Sequence, residues 1–86
     1  MPEEQVGRVE HYFAKVSAAG IEVTAAELNV GDTLHIVGHT TDLTLKIDSM
    51  QIENQPVQKA TTGQVIGIRV ADRVRPHDIV YRVLPE

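Results

Sequence analysis

Hydrophobic and polar side chains alternate along most of this chain. The clearest run is LTLKIDSMQI at residues 43–52, where Leu43, Leu45 and Ile47 fall on one face of an extended strand. This two-residue repeat is typical of a half-buried β-strand, whereas a helix repeats about every 3.6 residues. Comparable alternation occurs in VGRVEHYF (6–13), TLHIVG (33–38), VIGIRV (65–70) and IVYRVL (79–84).

Turn-forming segments separate these predicted strands at intervals of about 8–12 residues, as in small all-β domains. The segments are HTTD (39–42), ENQP (53–56), TTGQ (61–64) and ADRVRPHD (71–78). No stretch has a sustained helical repeat. We therefore predict an all-β fold of six to seven strands, closed into a small Greek-key β-barrel because an open sheet would leave exposed edges. The barrel domain spans residues 6–84, and the polar residues 1–5 are expected to be flexible.

Because successive side chains of a strand point to opposite faces, odd or even position (parity) along each strand predicts which side chains enter the core. In the fifth run, Ile79, Tyr81 and Val83 share one face and Arg82 lies on the other. Ile66, Ile68 and Val70 are likewise expected inside, with Arg69 outside.

Composition narrows the class of protein. Eighty-six residues suit a single domain, and 42% hydrophobic residues with only 3% aromatics predict an aliphatic core. The chain has no cysteine, no signal-peptide pattern and no long apolar run, so we predict a cytoplasmic protein with no membrane partner.

The net charge of −4 disfavours charge-driven binding to nucleic acid. Residues 1–58 nevertheless carry −6 and residues 59–86 carry +2, so a local basic face is compatible with the acidic total.

Four phrases occur in a recognisable order: GRVE, LNVGDTLHIVG, TLKIDSMQIENQPVQKATTGQVIGIRV and VRPHDIVYRV. Together they resemble the second, β-barrel domain of translational GTPases of the elongation factor Tu type, over residues 6 to 83. The resemblance implies a translation-protein barrel. The last phrase departs from the family at His77, where glycine is usual, so His77 is expected to adopt a positive φ.

The chain lacks a G-x-x-x-x-G-K-[ST] phosphate loop, so the GTPase activity does not carry over and no nucleoside triphosphate is expected to bind. A similar barrel is appended to U32-type peptidase-like proteins, and the segment EVT…LNVGDTLHIVG is similar to that version too. The sequence does not choose between these two relatives.

No arrangement of side chains predicts catalysis, a metal or a cofactor. His35 and His39 share a parity near Asp42, but they lack the further ligands that a zinc site needs, and we interpret them as solvated surface residues. Neighbouring His77 and Asp78 are not expected to pair, and no serine occupies a nucleophile elbow. We therefore predict a protein that is not an enzyme.

Two features predict binding instead. Arginine suits phosphate and carboxylate groups, and the candidate binding residues are Lys59, Arg69, Arg73 and Arg75. Solvated arginines that cover strand edges are the alternative reading.

Val37, Val65 and Val80 occupy outward-facing positions of their predicted strands. These apolar side chains predict an exposed flank that a protein partner or a homodimer would cover. Gly67 lies on an outward face, where it allows either close approach of another group or tight curvature. Asp32 is expected to cap a turn.

The function predicted first is a translation-factor-like binding module that contacts ribosomal RNA, tRNA or a translation factor. The alternatives are an accessory subunit or partner of a U32-type peptidase-like or RNA-modifying enzyme, and a structural dimeric module.

Overall fold

The alternating segments form strands in the computed structural model, which describes residues 2–84. The all-β class is confirmed, and the described residues include no helix, hence none long and apolar enough to cross a lipid bilayer. The strand count exceeds the predicted six or seven because very short segments also pair. The strands are β1 (Glu3–Phe13), β2 (Ala18–Val23), β3 (Leu28–Asn29), β4 (Thr33–Val37), β5 (Asp42–Lys46), β6 (Met50–Ile52), β7 (Gln55–Val57), β8 (Lys59–Ala60), β9 (Val65–Arg69) and β10 (Ile79–Val83).

Eight strands form one antiparallel sheet in the order β5-β4-β10-β1-β2-β9-β6-β7, and β3 pairs with β8 as a separate ribbon. Strands β5 and β7 are the edges of the large sheet. Its hydrogen-bonded ladder is therefore not closed on itself across residues 2–84, and the predicted closed Greek-key barrel is not confirmed.

One face of the sheet supplies an aliphatic core. Leu34, Ile36 and Ile66 are fully buried, and Ile68 and Val70 are nearly so, which confirms the inward parity predicted for β4 and β9. Burying a side chain of this size contributes about 1.5–3 kcal/mol.

The parity predicted for β10 is wrong. Val80 is fully buried rather than outward, because it pairs with Ile36, and Arg82 pairs with Leu34 on the same inward face. The guanidinium of Arg82 leaves the core at the end of the strand, where Nη1 donates to the Glu27 carbonyl oxygen at 2.7 Å. Arg82 is tolerated there because its apolar stem packs while Nη1 and Nη2 reach acceptors, and Nε is buried with no hydrogen-bond partner among the described residues.

The first and last strands meet at their ends. Glu3 pairs with Val83, and the Leu84 N–H donates to the Pro2 carbonyl oxygen at 2.9 Å. Residues 3–5 of the segment expected to be flexible are thus part of β1, whereas Met1 lies outside the described residues. The mobility of this segment stays a prediction.

Two turn residues have the backbone conformation or hydrogen bond predicted for them from the sequence. His77 has a φ of 77°, which confirms the positive φ predicted for it. Asp32 Oδ2 accepts a hydrogen bond from the Asn29 N–H at 2.9 Å, which confirms its capping role. The β6–β7 hairpin turns on Glu53 and Asn54, whose φ values of 52° and 65° match a type I′ turn.

Candidate protein-docking surface

Two glycines lie in the middle of a row of paired residues that crosses the outer face of four neighbouring strands. His11 of β1 pairs with Gly20 of β2, Gly20 with Gly67 of β9, and Gly67 with Gln51 of β6. A Cβ atom placed on Gly67 would meet nothing within 4 Å, so the space above this residue is open. The sheet therefore has a depression in the middle of its outer face.

Large apolar side chains border this depression. Phe13, Val16 and Val65 are 52%, 62% and 44% exposed, which is high for residues of this type. Phe13 packs beside His11, with ring centroids 6.0 Å apart, and its ring edge lies over Gly20.

Local backbone geometry fixes the position of Val16. The β1–β2 turn comprises Ala14–Ser17; Ser17 has a φ of 51°, and its carbonyl oxygen accepts from the Val70 N–H at 2.9 Å. Val16 is therefore held at the tip of a hairpin anchored to the end of β9.

Two shallow cavities meet at Gly67, Gln51 and Asn54. One is lined by Phe13 and Val65, and the other by Val16, Ala18 and Arg69 among others. All three exposed apolar side chains thus border one continuous surface, here called the Gly67 surface and defined by Phe13, Val16, Val65, Gly67 and Arg69.

The exposed apolar flank predicted from the sequence exists in part. Val65 is exposed as expected, whereas Val37 is half-buried and Val80 is fully buried. Sequence parity missed Phe13 and Val16, since neither the hairpin turn nor the bulge between Val9 and His11 was recognised. The pairing of Gly20 with Gly67 leaves no sequence signal because they lie 47 positions apart.

The four predicted binding residues have separate surroundings. Lys59 Nζ lies 3.9 Å from Glu27 Oε2, and the Arg73 guanidinium stacks 5.9 Å from the centroid of the Tyr12 ring. The Arg75 N–H donates to Asp78 Oδ2 at 2.9 Å, so the backbone of Arg75 is part of a turn. Arg69 is exposed on the Gly67 surface, and no carboxylate among residues 2–84 forms an ion pair with it.

His35 is not a free surface histidine. Its Nε2 lies 2.6 Å from Asp42 Oδ1 and its Nδ1 lies 2.7 Å from Glu3 Oε2, so both ring nitrogens face carboxylates. These hydrogen bonds, first to Asp42 and then to Glu3, raise the pKa of His35 above 6.5. The cluster ties β1, β4 and β5 together next to Tyr81. His39 is exposed.

The described part of the chain contains no group of three or more histidine, aspartate or glutamate side chains arranged to hold a metal ion. Asp78 is buried in the 75–78 turn, where its carboxylate accepts from a backbone N–H.

Comparison with known proteins identifies relatives among proteases. No family model matches the chain. A collagenase of Porphyromonas gingivalis is 41% identical over 78 residues, which are 90% of this chain and 22% of the collagenase. An uncharacterized protease of Methanocaldococcus jannaschii is 38% identical over 78 residues, 19% of its length. The chain thus spans about a fifth of the length of the curated relatives that it matches.

The fold matches the C-terminal domain of a U32 peptidase from Geobacillus thermoleovorans. One crystal structure of that domain has a TM-score of 0.86 with 18% identity, covering 94% of this chain and 93% of that one. Its selenomethionine variant gives a TM-score of 0.84 with 19% identity, covering 90% and 96%.

These findings overturn the function predicted first. The relatives are named as proteases, and the structural neighbours are C-terminal domains of a U32 peptidase, so the translation-factor-like module and its role in protein biosynthesis are wrong. The resemblance to the second domain of translational GTPases is not shown. The chain is similar in sequence to about a fifth of two proteases, and it shares its fold with the C-terminal domain of a U32 peptidase.

Proposed function

We propose that this chain is a non-catalytic accessory β-domain that works with the catalytic part of a U32-type peptidase-like enzyme. The observation that carries the proposal is the 41% identity to a segment making up 22% of a collagenase, since a match this strong to so small a part marks a separable module. The remainder of such a relative is large enough to hold the reaction centre.

The chemistry of the described residues supports a non-catalytic role. His35 has both nitrogens engaged by carboxylates, and the Asp78 carboxylate accepts a backbone N–H in a buried turn. A nucleophile needs a base within hydrogen-bond reach, and the base needs a group that orients it. No such set occurs among the side-chain hydrogen bonds of residues 2–84, in which neither Ser17 nor Ser49 contacts a histidine.

The same proposal includes closure of the sheet into a barrel by the β3–β8 ribbon. The Val30 N–H donates to the Gln58 carbonyl oxygen at 3.0 Å, just after β7. The Gly31 N–H donates to the Ile47 carbonyl oxygen at 2.8 Å, just after β5. These bonds link the ribbon to the ends of both edge strands, and a closed wall gives an accessory domain a rigid outer face.

A segment exchange in the Porphyromonas gingivalis collagenase tests the function. The 78 matched residues are replaced by the corresponding part of this chain, and hydrolysis of collagen is compared with the intact enzyme and with the enzyme lacking the segment. We expect the exchanged enzyme to recover activity that the shortened enzyme loses, and the 86-residue chain alone to have none.

The matched control carries an unrelated β-domain of similar length at the same place. Recovery by the control as well as by this chain would contradict a specific accessory role. Hydrolysis by the isolated 86-residue chain would contradict the non-catalytic assignment.

A further inference from the structure

We propose that the Gly67 surface is the face that docks on the catalytic part of a U32-type peptidase-like enzyme, with an apolar side chain of that part seated above Gly67 and an acidic group at Arg69. This inference rests on the proposed function and names the contact through which it operates.

The first support is the shape of the surface. Gly67 lies in the middle of β9 and its φ is not positive, so the backbone does not require glycine there, and a Cβ atom would meet nothing within 4 Å. Glycine inside a strand lowers stability by about 0.5–1 kcal/mol relative to alanine. A strand glycine marks a bulge, a tight bend or a position that another chain approaches closely, and the pairing of β2 with β9 has no bulge at Gly67.

The second support is the distribution of apolar exposure. Phe13, Val16 and Val65 are the exposed large hydrophobic side chains within residues 2–84, and all three border the Gly67 surface. A cluster of exposed apolar side chains is typical of a surface that contacts another protein. Gln51 and Asn54 line both cavities and supply hydrogen-bonding groups among these apolar side chains.

The third support is charge. Arg69 is exposed beside Ala18 at the edge of the surface and has no ion-pair partner among the described residues. Glu22, across from Val65, is instead neutralised by Arg8 at 2.8 Å. Glu53, which lines the cavity beside Phe13 and Val65, has no ion pair among the described residues either, so the positive charge is confined to the Arg69 end of the surface, where a carboxylate of the partner complements it.

The lengths of the relatives indicate which partner covers the Gly67 surface. The chain corresponds to about a fifth of each matched protease, so in those proteins a β-domain of this kind is joined to a much larger remainder. That remainder offers a surface at high effective concentration, whereas a second copy of the chain must associate from solution.

Two variants probe the contact without disturbing the fold. Gly67→Val fills the open space, and because nothing lies within 4 Å of the new Cβ, we expect the isolated chain to fold with unchanged or higher stability. Arg69→Glu reverses the charge. The matched control is Thr44→Val on β5, an exposed strand position away from the Gly67 surface that receives the same new side chain.

The measurement is amide hydrogen exchange in the exchanged collagenase, compared with the isolated 86-residue chain. Docking is expected to slow exchange in residues 13–18 and 65–69 when this chain stands in the full-length enzyme. We expect Gly67→Val and Arg69→Glu to reduce that protection by about tenfold or more, as for residues central to an interface, and Thr44→Val to leave it intact.

Each contrary outcome is informative. An exchanged enzyme that is active and keeps full protection in the Gly67→Val variant overturns this docking surface but leaves the accessory function standing. Protection confined to another face does the same. Dimerisation of the isolated chain in light scattering, abolished by Gly67→Val, assigns the surface to a second copy and overturns the proposed occupant. An inactive exchanged enzyme without protection at residues 13–18 and 65–69 overturns both proposals.

Discussion

Alanine at Gly7 tests how closely β1 and β2 are packed. A Cβ on Gly7 would lie 2.3 Å from the Glu22 carbonyl oxygen and 3.3 Å from Ile21 Cγ2. Ordinary contacts begin at 3.4 Å, so the carbonyl must move by about 1 Å, and no change of side-chain rotamer relieves a clash with backbone. We expect Gly7→Ala to separate the two strands locally.

The cost follows from the hydrogen bonds involved. N–H···O bonds span about 2.7–3.2 Å, so a shift of about 1 Å breaks the ladder where Gly7 faces Val23 and Arg8 faces Glu22. Two lost bonds cost about 1 kcal/mol each, overpacking adds about 1–3 kcal/mol, and the replaced glycine returns about 0.5–1 kcal/mol. The free energy of unfolding should fall by about 2–4 kcal/mol, lowering Tm by on the order of 10–30 °C.

Urea denaturation followed by far-ultraviolet circular dichroism measures this loss, since the chain has no tryptophan for fluorescence. The same substitution at Gly67 is the matched control, because its Cβ would meet nothing within 4 Å. Gly67→Ala should raise the free energy of unfolding by about 0.5–1 kcal/mol. Equal stability of the two variants would refute the packing account.

Three other positions give predictions of the same kind. The pKa of His35 is raised in the folded protein, so its ion pairs add to the free energy of unfolding below pH 6.5, and this stabilisation is lost as pH rises through the folded pKa. The free energy of unfolding, measured from pH 5 to 8.5, should fall accordingly, and His35→Gln should remove this pH dependence. His77→Gly should stabilise the chain by about 1 kcal/mol in urea titrations, because glycine adopts a φ of 77° without strain, and a loss of stability would contradict this. Gly38→Ala should destabilise by about 1–3 kcal/mol, because its Cβ would overlap the buried Asp78 carboxylate. Adding Asp78→Gly should remove that clash, so additive effects in the double-mutant cycle would count against it.

The strands were predictable where alternation is unambiguous. In β4 and β9, aliphatic residues occupy one parity, and Leu34, Ile36, Ile66 and Ile68 are buried as expected. In β10 apolar residues occupy both parities, so composition does not decide which face is inward. The register with β4 decides it, and that register places Val80 rather than Tyr81 in the core.

The docking surface was not predictable for a related reason. A surface is assembled from strands distant in sequence, so it depends on strand order, which periodicity does not encode. Val65 and Gly67 were identified one at a time, but Phe13 and Val16 join them only because β1, β2 and β9 are neighbours. The basic residues show the same dependence on strand order: the +2 charge of residues 59–86 was compatible with a local basic face, but Lys59 lies beside Glu27 and Arg73 beside Tyr12.

Side-by-side ends have an engineering consequence. Because Glu3 faces Val83 across one strand spacing, about 4.8 Å, a host protein can enter and leave this domain through adjacent points. If the domain is inserted into a surface loop of a larger polypeptide, the two segments that flank it should therefore stay close together. A circularly permuted version, joined between residues 2 and 84 and reopened between Glu53 and Asn54, would keep every strand neighbour.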